Sequence, residues 1–466
     1  MIMDMRKRHL SVWALAAVLL MAACGGGAPR SLEVDGTEPV SDENRVIYQM
    51  NIGAFTPDGT FLAAMRQLDR LDTLGVDIIW LMPVYPRGVT MNSPYAVMDY
   101  KAVNPKYGTV EDLKTFVARA HELGMKVWLD WVPNHVAQEN PWTETHPEYF
   151  TKDAKGQIIH PHGWGDVLEL NYQDKGLVNE VNTAMKFWIE ACDIDGYRCD
   201  YVSSPTIPVT YWQDIIAQLK SLKPGKKIEM MSETDITDRA NLRIDSCGFD
   251  YDYAWSLQGS IARLCRRGFD ADSLKQIWLR FLEKSSKVKN RRMVYLTNHD
   301  QNYNDGGHTL RQFYGEYRYG LTVMEFTFYG MPLIYNGQEI GDPDTLNYFT
   351  DAKVKWQRVD HKMLNTVRTL IALHHQQPSL ADNAPVEFLS TSDEHVLAWR
   401  RGNVVAVVNF ADYDTAAVIE GLDSGTYQQW LNSQTIFNGP SMTTLALDAS
   451  SSISLEAKGY AVYVKQ

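Results

Sequence analysis

Four short segments of this chain end in polar side chains that could do acid–base and nucleophilic chemistry. The segments are DWVPNH at 130–135, GYRCD at 196–200, MMSE at 230–233 and TNHD at 297–300. In the second segment Arg198 and Asp200 are two residues apart, so in a β-strand both side chains point to the same face. A guanidinium beside a carboxylate favours its charged form. An ionised Asp200 could therefore act as a nucleophile or stabilise a developing cation.

Taken singly, each of these residues is more often a cap or a turn residue than a catalytic one. Together, the segment ends carry four carboxylates, one guanidinium and two imidazoles. They are Asp130, His135, Arg198, Asp200, Glu233, His299 and Asp300. Their common position at segment ends predicts one candidate active site with paired carboxylates for acid–base or nucleophilic catalysis.

The elements that must position these side chains are short apolar runs that alternate with amphipathic helical stretches. The strand-like runs are Val46–Asn51, Asp77–Met82, Lys126–Asp130, Gly196–Asp200, Ile228–Glu233, Phe249–Tyr253, Met293–Asn298 and Leu333–Gly337. Helical patterns such as Phe61–Leu74, Val110–Leu123 and Leu177–Cys192 separate them. This alternation predicts an α/β fold, a (β/α)8 TIM barrel, in which reactive groups stand at the C-terminal ends of the strands.

An insertion and a second domain complete the predicted architecture. A short insertion at about 136–174 follows the third strand and is rich in His, Trp, Pro and Gly, as in HPHGWGD at 160–166. Long loops at this end of a barrel build binding clefts. After the barrel, short alternating runs separated by Gly, Asp and Ser predict a C-terminal antiparallel β-sandwich. We therefore predict a barrel at 44–377 and a β domain at 378–466.

The N-terminus resembles the signal peptide of a bacterial lipoprotein. Basic residues precede the apolar run Leu10–Ala23, which is shorter than the roughly 20 residues that span a bilayer. Met21-Ala-Ala-Cys24 resembles a lipobox, which implies a signal peptide at 1–24 and lipidation of Cys24. Residues 25–43 have the composition of a flexible tether. The resemblance implies a lipid anchor in the bacterial cell envelope, at the outer membrane, facing the periplasm or the cell surface. The alternative is a plain secretory signal with an incidental cysteine.

Composition and cysteine spacing exclude several classes of function. The chain has 45 Lys and Arg against 57 Asp and Glu, a net charge of −12, which disfavours nucleic-acid binding. Beyond Cys24 the cysteines lack the spacing of a metal site, and we expect buried free thiols. They are Cys192, Cys199, Cys247 and Cys265. We expect a monomer whose partners are its substrate and, through the anchor alone, a membrane.

The four segments resemble, in order, the motif regions of glycoside hydrolase family 13, the α-amylase family. Pro94–Tyr100 resembles the family's loop with a sugar-stacking Tyr, and Gly330–Glu339 resembles its eighth-strand segment. The likeness extends over roughly residues 44–466. It implies a barrel enzyme that hydrolyses α-glucosidic bonds with retention of configuration. Retention needs two carboxyl groups about 5–5.5 Å apart, which residues on adjacent strands, about 4.8 Å apart, can reach.

The resemblance also implies a role for each matching residue. Asp200 would be the nucleophile, Glu233 the general acid/base, and Asp300 the residue that holds sugar hydroxyls and helps to distort the ring. Arg198 would orient Asp200 and keep it deprotonated. The remaining residues would bind the sugar in the cleaved subsite: Tyr95, Asp130, His135 and His299.

Two departures from the family pattern follow the nucleophile. Many members carry a Lys-His pair there, whose His backbone helps to hold a structural calcium ion and which shapes the leaving-group subsite. Here Ser203 and Ser204 occupy those positions, and Tyr201 stands where a small or branched residue is usual. The insertion offers Asp166 and Asp174 but no dense run of oxygen ligands. We therefore expect no metal and no other cofactor.

Several functions remain open at this point. We expect hydrolysis, most often of α-1,4 bonds in starch, glycogen or maltooligosaccharides. An exo-acting α-glucosidase, a neopullulanase-like enzyme or a transglycosylating enzyme would use the same carboxylates. A catalytically silent glucan-binding lipoprotein is a further alternative, which the intact carboxylates disfavour. A transport-partner protein would lack the carboxylates and carry a membrane span. Trp399 and Trp430 could bind glucan if exposed, although core packing is expected for both.

Overall fold

The structure is a computed structural model that describes residue 42 and residues 44–304, 307–381, 384–439 and 442–466. The expected signal peptide, Cys24 and all but residue 42 of the expected tether lie outside these described residues. Within the described part of the chain, no helix has both the length and the apolar composition needed to cross a bilayer.

A closed parallel barrel forms the first part of the described chain, as the sequence predicted. The strands between residues 47 and 335 are β1 (Ile47–Met50), β2 (Ile78–Leu81), β3 (Lys126–Trp131), β4 (His135–Ala137), β5 (Val167–Glu169), β6 (Gly196–Cys199), β7 (Glu229–Ser232), β8 (Tyr251–Tyr253), β9 (Arg291–Val294) and β10 (Met331–Tyr335). All except β4 and β5 pair in parallel around the barrel, and β10 closes it against β1. β9 ends four residues before the predicted end at Asn298, so residues 295–299 belong to the loop that enters the cleft.

Amphipathic helices surround the strands. They are α1 (Ile52–Phe55), α2 (Phe61–Met65), α3 (Leu68–Leu74), α4 (Val110–Glu122), α5 (Trp142–Thr145), α6 (Lys175–Cys192), α7 (Val209–Leu222), α8 (Trp255–Arg267), α9 (Ala271–Ser285), α10 (Leu310–Tyr314), α11 (Tyr317–Thr327) and α12 (His361–Gln376). In α6 the Asp174 carboxylate accepts a hydrogen bond from the N–H of Leu177, which begins the helix. The pattern at 61–74 forms two helices instead of one, because the chain leaves helical geometry at Gln67.

Large side chains fill the interior of the barrel. Trp80, Trp128 and Tyr251 are buried there together with aliphatic residues of the other strands. One glycine permits the close approach of two strands at this level. A Cβ on Gly196 would lie 2.1 Å from the carbonyl oxygen of Glu229, so no larger residue fits at the start of β6 without displacing backbone.

The insertion after β3 is fixed to the barrel by a short antiparallel ladder. β4 pairs with β5, with His135 opposite Glu169. Because β4 begins four residues after β3 ends, the ladder holds the loop at the C-terminal ends of the barrel strands. The loop therefore has a defined position beside the predicted catalytic residues.

The C-terminal domain is one continuous antiparallel sheet. Its strands are β11 (Glu387–Thr391), β12 (Val396–Arg401), β13 (Val404–Asn409), β14 (Thr415–Glu420), β15 (Gly425–Asn432), β16 (Thr443–Leu447), β17 (Ser452–Leu455) and β18 (Tyr460–Lys465). The order across the sheet is β16-β15-β18-β13-β12-β11-β14-β17. Residues from both halves of the sheet share one apolar core, so the sheet folds over that core as a sandwich does.

The burial of two tryptophans in the β domain and of the cysteines in the barrel bears on the sequence predictions. Trp399 and Trp430 are buried, so neither offers an exposed face to a glucan. The cysteines of the described residues are unpaired, and Cys192, Cys199 and Cys247 are buried whereas Cys265 is half-buried.

Candidate active site

The ladder of the barrel places Asp200 next to Glu233. Within the strands, Asp130 of β3 pairs with Arg198 of β6. The pairing continues beyond the strand ends, because the N–H of Asp200 donates to the carbonyl of Trp131 at 2.7 Å and the N–H of Glu233 donates to the carbonyl of Cys199 at 2.9 Å. Asp200 and Glu233 therefore each stand one residue past the end of neighbouring parallel strands, at the C-terminal rim of the barrel.

Arg198 lies beneath the rim and contacts three carboxylates. Its Nη1 is 2.7 Å from Asp130 Oδ1 and 3.0 Å from Asp200 Oδ1, and its Nη2 is 2.7 Å from Glu233 Oε1. Its Nε donates to the hydroxyl of Tyr253 at 3.0 Å. The side chain is fully buried, so this guanidinium is held in one position by all of these partners. The sequence predicted the contact with Asp200 but not those with Asp130 and Glu233.

Burial governs the protonation of the two rim carboxyls. Burial raises the pKa of Asp200 to about 6, although the Arg198 guanidinium acts in the opposite direction. Burial raises the pKa of Glu233 well above its usual range against the opposing effect of Arg198, and the negative charges of Asp200 and Asp300 raise it further. These shifts favour a Glu233 that holds its proton to higher pH than an exposed glutamate, beside an Asp200 that is ionised above about pH 6.

Tyr95 and His299 form a stacked pair in the wall of the cleft. Their rings are 5.3 Å apart and inclined by 21°. The Tyr95 hydroxyl is 2.6 Å from His299 Nε2 and donates to Asp130 Oδ2 at 3.1 Å. The Gln49 amide donates to His299 Nδ1 at 2.7 Å, which leaves the proton of the neutral ring on Nε2. Burial lowers the pKa of His299 to about 4, so this ring is neutral at neutral pH.

Asp300 and His135 complete the set of predicted residues. Asp300 Oδ1 is 3.5 Å from His299 Nε2, and the Asp300 side chain keeps 23% of its surface exposed to the cleft. His135 is buried beneath the insertion, and its ring contacts that of Trp164 at 5.6 Å. Burial lowers the pKa of His135 to about 4, so it too is neutral. Neutral imidazoles can donate hydrogen bonds to sugar hydroxyls without adding charge.

Most of these side chains line one cleft, which has a volume of about 1120 Å³. The predicted residues on the wall are Tyr95, His135, Asp200, Glu233, His299 and Asp300. Asp130 and Arg198 do not line the cleft and lie behind this wall, where they contact Tyr95, Asp200 and Glu233. The structure thus brings all eight predicted residues together, six at the surface of the cleft and two in support.

Sequence reasoning missed several residues of the site. Trp80 donates through Nε1 to Asp130 Oδ2 at 3.2 Å. Gln49 donates to His299, and Tyr253 accepts a hydrogen bond from Arg198. These three residues lie within barrel strands rather than at the polar ends that the sequence search used. The sequence signal that could have identified these three residues is a polar or amphipathic side chain at an inward-facing position of a barrel strand.

The segment after the nucleophile does not fit a calcium ion. The carbonyl oxygens of Ser203 and Ser204 accept hydrogen bonds from Arg243 Nη2 at 2.7 Å and 2.8 Å. A guanidinium therefore already satisfies the carbonyl that many family members offer to the metal. Asp174 is engaged as the cap of α6. Across the ranges that the structure describes, there is no group of three or more His, Cys, Asp or Glu side chains that could hold a metal ion.

Comparisons with known proteins agree with this geometry. A family model described as "Alpha amylase, catalytic domain" matches residues 41–165. Alpha-amylase 2 of Dictyoglomus thermophilum is 24% identical, over 89% of this chain and 78% of its own length. An alpha-1,4-glucan:maltose-1-phosphate maltosyltransferase of Arcanobacterium haemolyticum is 29% identical over 42% of this chain and 31% of its own.

The fold comparison reaches further along the chain. The crystal structure of a maltogenic alpha-amylase from Thermotoga neapolitana has a TM-score of 0.76 and 24% identity, and the alignment covers 91% of this chain and 99% of that one. At this sequence identity the structural likeness supports the fold alone. The family model and the sequence relatives support the identification of the catalytic domain. Residues 41–165 therefore match an α-amylase catalytic domain, and the family model and the relatives together support a glycosidase of the α-amylase type.

Proposed function

We propose that this protein is a retaining glycoside hydrolase that cleaves α-1,4-glucosidic bonds of starch, glycogen or maltooligosaccharides. The observation that supports this most directly is the position of Asp200 and Glu233 at the ends of adjacent strands, where burial raises the pKa of Glu233 well above its usual range. A retaining mechanism requires a nucleophilic carboxylate and a carboxylic acid about 5–5.5 Å apart, which residues at the ends of adjacent strands can reach. Two of the relatives are named an alpha-amylase and an alpha-1,4-glucan:maltose-1-phosphate maltosyltransferase.

In the first step Glu233 gives its proton to the glycosidic oxygen while Asp200 attacks the anomeric carbon from the other face. The bond between that carbon and the leaving sugar breaks, and a covalent glycosyl-enzyme forms. In the second step Glu233, now a carboxylate, takes a proton from water, and the water oxygen displaces Asp200. The Arg198 guanidinium stabilises Asp200 whenever it carries its negative charge.

The sugar in the cleaved subsite lies against Tyr95 and is held by neutral and charged groups. We assign hydroxyl contacts to His135, His299 and Asp300, which line the cleft. Asp130 supports this subsite from behind, because its carboxylate contacts both the Tyr95 hydroxyl and Arg198. An aromatic ring beneath a sugar fixes the position of that sugar, and a carboxylate bound to the sugar's hydroxyls restricts the shape of its ring.

We propose that catalysis needs no metal ion or other cofactor. The carbonyls of Ser203 and Ser204 are bound by Arg243, which leaves the segment after Asp200 ordered by the chain's own cation.

We further propose that the mature chain is a monomer anchored through a lipid on Cys24 in the bacterial cell envelope. This proposal rests on the lipobox-like sequence before Cys24. Replacing Cys24 by Ala should move the protein from the membrane fraction to the soluble fraction. A variant that stays with the membrane would contradict the anchor.

The catalytic proposal is tested with the full-length protein in detergent, incubated with maltoheptaose, amylose, pullulan and panose. Proton NMR follows which anomer appears first, and chromatography gives the product lengths. We expect α-anomeric maltooligosaccharides, and no products from Asp200→Asn. Product lengths then separate endo from exo action, and cleavage of pullulan or panose identifies neopullulanase-like specificity. Early release of the β-anomer, or no turnover by folded protein, would refute a retaining hydrolase.

A further inference from the structure

The cleft continues from Glu233, the acid that must face the leaving sugar, to Tyr201, whose N–H donates to Glu233 Oε2. Of Ser203 and Ser204, only Ser203 lines the cleft, and its side chain is short. The hydroxyl of Ser204 is buried and pairs with that of Thr206 at 2.8 Å. Their carbonyls are bound by Arg243. The contacts that a Lys-His pair would make to a leaving sugar must therefore come from other side chains.

Three aromatic side chains occupy this side of the cleft, and we call His162, Trp164 and Tyr201 the aromatic wall. The ring centroids of His162 and Trp164 are 4.8 Å apart, and those of His162 and Tyr201 are 5.2 Å apart. His162 Nε2 lies 2.8 Å from the Tyr201 hydroxyl. All three line the same cleft as Asp200 and Glu233.

Trp164 is not a core residue. It keeps 44% of its surface exposed, whereas Trp131, Trp188 and Trp212 are almost completely buried. An indole that stays in solvent at the wall of a binding cleft offers an apolar face to a ligand.

The backbone of the wall is strained in two places. Tyr201 has a φ of +38° and His162 a φ of +54°, both in the left-handed region that side-chain-bearing residues rarely adopt. The N–H of Tyr201 donates to Glu233 Oε2 at 2.8 Å, so the strained residue also contacts the acid. Strain of this kind persists where the surrounding structure fixes it, and it concentrates at functional sites.

We propose that the aromatic wall binds the glucose unit on the leaving side of the scissile bond, with the sugar ring against Trp164 and its hydroxyls at His162 and Tyr201. The proposal rests on the hydrolase function stated above and names the residues that recognise its leaving group. By microscopic reversibility the same wall binds a saccharide acceptor. An acceptor hydroxyl then attacks the anomeric carbon, its proton passes to Glu233, and the bond to Asp200 breaks.

The test compares two substrates that differ in their leaving group. Maltotetraose must place a sugar against the wall, whereas α-maltosyl fluoride releases only fluoride. Burial of an aromatic face is worth about 1.5–3 kcal/mol, so Trp164→Ala should lower kcat/KM for maltotetraose about tenfold to hundredfold. The loss on α-maltosyl fluoride should be at least about fivefold smaller than that.

Three further variants provide a rescue, an independent second test and a control for Trp164→Ala. Trp164→Phe should recover most of the activity on maltotetraose, because it restores an aromatic face. His162→Ala, on an exposed part of the loop, should lose activity in the same substrate-selective way and serves if Trp164→Ala does not fold. Phe437→Ala removes an aromatic ring that is 59% exposed in the C-terminal domain, and it should leave both substrates unaffected.

The outcomes separate the two proposals. Turnover of neither substrate by the wild-type chain would refute the hydrolase function. Turnover by the wild type with equal losses on both substrates in Trp164→Ala and His162→Ala, or with no loss in either variant, would refute the role of the aromatic wall.

Discussion

Arg198 sets the electrostatic balance of the cleft at the scale of single residues. One guanidinium faces Asp130, Asp200 and Glu233, so its single positive charge cannot neutralise all three. Burial outweighs the ion pairs, and the pKa of Asp130 rises to about 7 while that of Asp200 rises to about 6. The site therefore retains protons at a pH where exposed carboxyls have lost them.

The pH dependence of activity should follow from these shifts. Asp200 must be ionised to attack, and burial raises its pKa to about 6, so kcat/KM should fall as the pH drops through about 6. The pKa of Glu233 is raised well above its usual range, so the activity lost through its deprotonation should appear on the alkaline side. Measurement of kcat/KM for maltoheptaose from pH 4 to 9 checks this profile. An acidic limb centred near 4, the value of an exposed Asp, would contradict it.

Asp200→Asn should abolish activity and also stabilise the fold at neutral pH. Loss of the nucleophile should reduce kcat by at least about 10³-fold. A carboxyl with a higher pKa in the folded than in the unfolded chain stabilises the fold while protonated, and this contribution is lost as the pH rises through about 6. The asparagine side chain of the variant cannot ionise, so the variant avoids this loss of stability. Its free energy of unfolding should therefore exceed that of the wild type by about 1–3 kcal/mol at pH 7.

Denaturant unfolding at two pH values checks this second effect. The gain should shrink at pH 4, where Asp200 is protonated in the folded wild-type protein. Asp58, whose side chain is 69% exposed, provides the control, because Asp58→Asn should change neither quantity. An equal gain from Asp200→Asn at pH 7 and pH 4 would show that the effect is not electrostatic.

At the scale of elements, Arg243 joins the segment after β6 to the segment after β7. Its guanidinium binds the carbonyls of Ser203 and Ser204, and the buried Ser204 lies four residues after the nucleophile. A cation built into the chain does not dissociate. We therefore propose that Arg243 orders this segment in place of the metal ion that the family resemblance implies there.

Arg243→Met should lower the melting temperature, and chelation should not. Unpaired buried carbonyls cost about 1–3 kcal/mol, which the variant should lose in stability. Thermal unfolding of the wild type with and without EDTA should give the same melting temperature. Arg66→Met, which changes a guanidinium that is 61% exposed, controls for loss of positive charge and should have little effect. A wild-type melting temperature that falls in EDTA would reveal a structural metal and contradict this account.

The barrel could be predicted from the sequence because each of its strands is an apolar run that ends in polar residues. The convergence of Asp130 and Glu233 on Arg198 could not, because it depends on how β3, β6 and β7 register in the closed barrel. Tyr201 gave no local signal either, since a positive φ is expected of glycine or asparagine.

Weak patterns account for the remaining differences in the fold. The sequence signal for β11 is weak, because Leu389 is the one buried residue of this strand and the apolar alternation is short. The insertion's His and Trp content correctly indicated a cleft loop, but which side of the cleft Trp164 would face depended on the β4–β5 ladder. Sequence therefore predicted the elements and the polar rim, whereas contacts across elements required the structure.

At the scale of the whole molecule, the β domain covers the outer face of two barrel helices. Trp399 of β12 donates through Nε1 to Thr327 Oγ1 of α11 at 3.1 Å. The Tyr460 hydroxyl of β18 pairs with Thr366 of α12 at 2.7 Å, and Asn365 donates to the carbonyl of Ile436 at 2.8 Å. These buried polar contacts couple the stability of the two domains.

Trp399→Ala should therefore destabilise the barrel as well as the β domain. Loss of a buried Trp costs about 3–5 kcal/mol. Circular dichroism and residual activity, followed during heating, should report one shared transition that moves to lower temperature. Tyr413→Ala, at a position that is 51% exposed, should leave the transition in place. A variant whose activity survives the first of two separate transitions would show that the domains unfold independently.

The interior place of β18 in its sheet has a consequence for the order in which the chain can fold. β18 pairs with β13 on one side and β15 on the other, so it joins β15 and β16 to the other five strands. During synthesis, β11 to β17 leave the ribosome before the strand that unites them exists. Until residues 460–465 emerge, the covering of α11 and α12 is incomplete, and their apolar surface is available to chaperones. The support that the β domain gives to the barrel helices therefore depends on the insertion of β18 between β13 and β15.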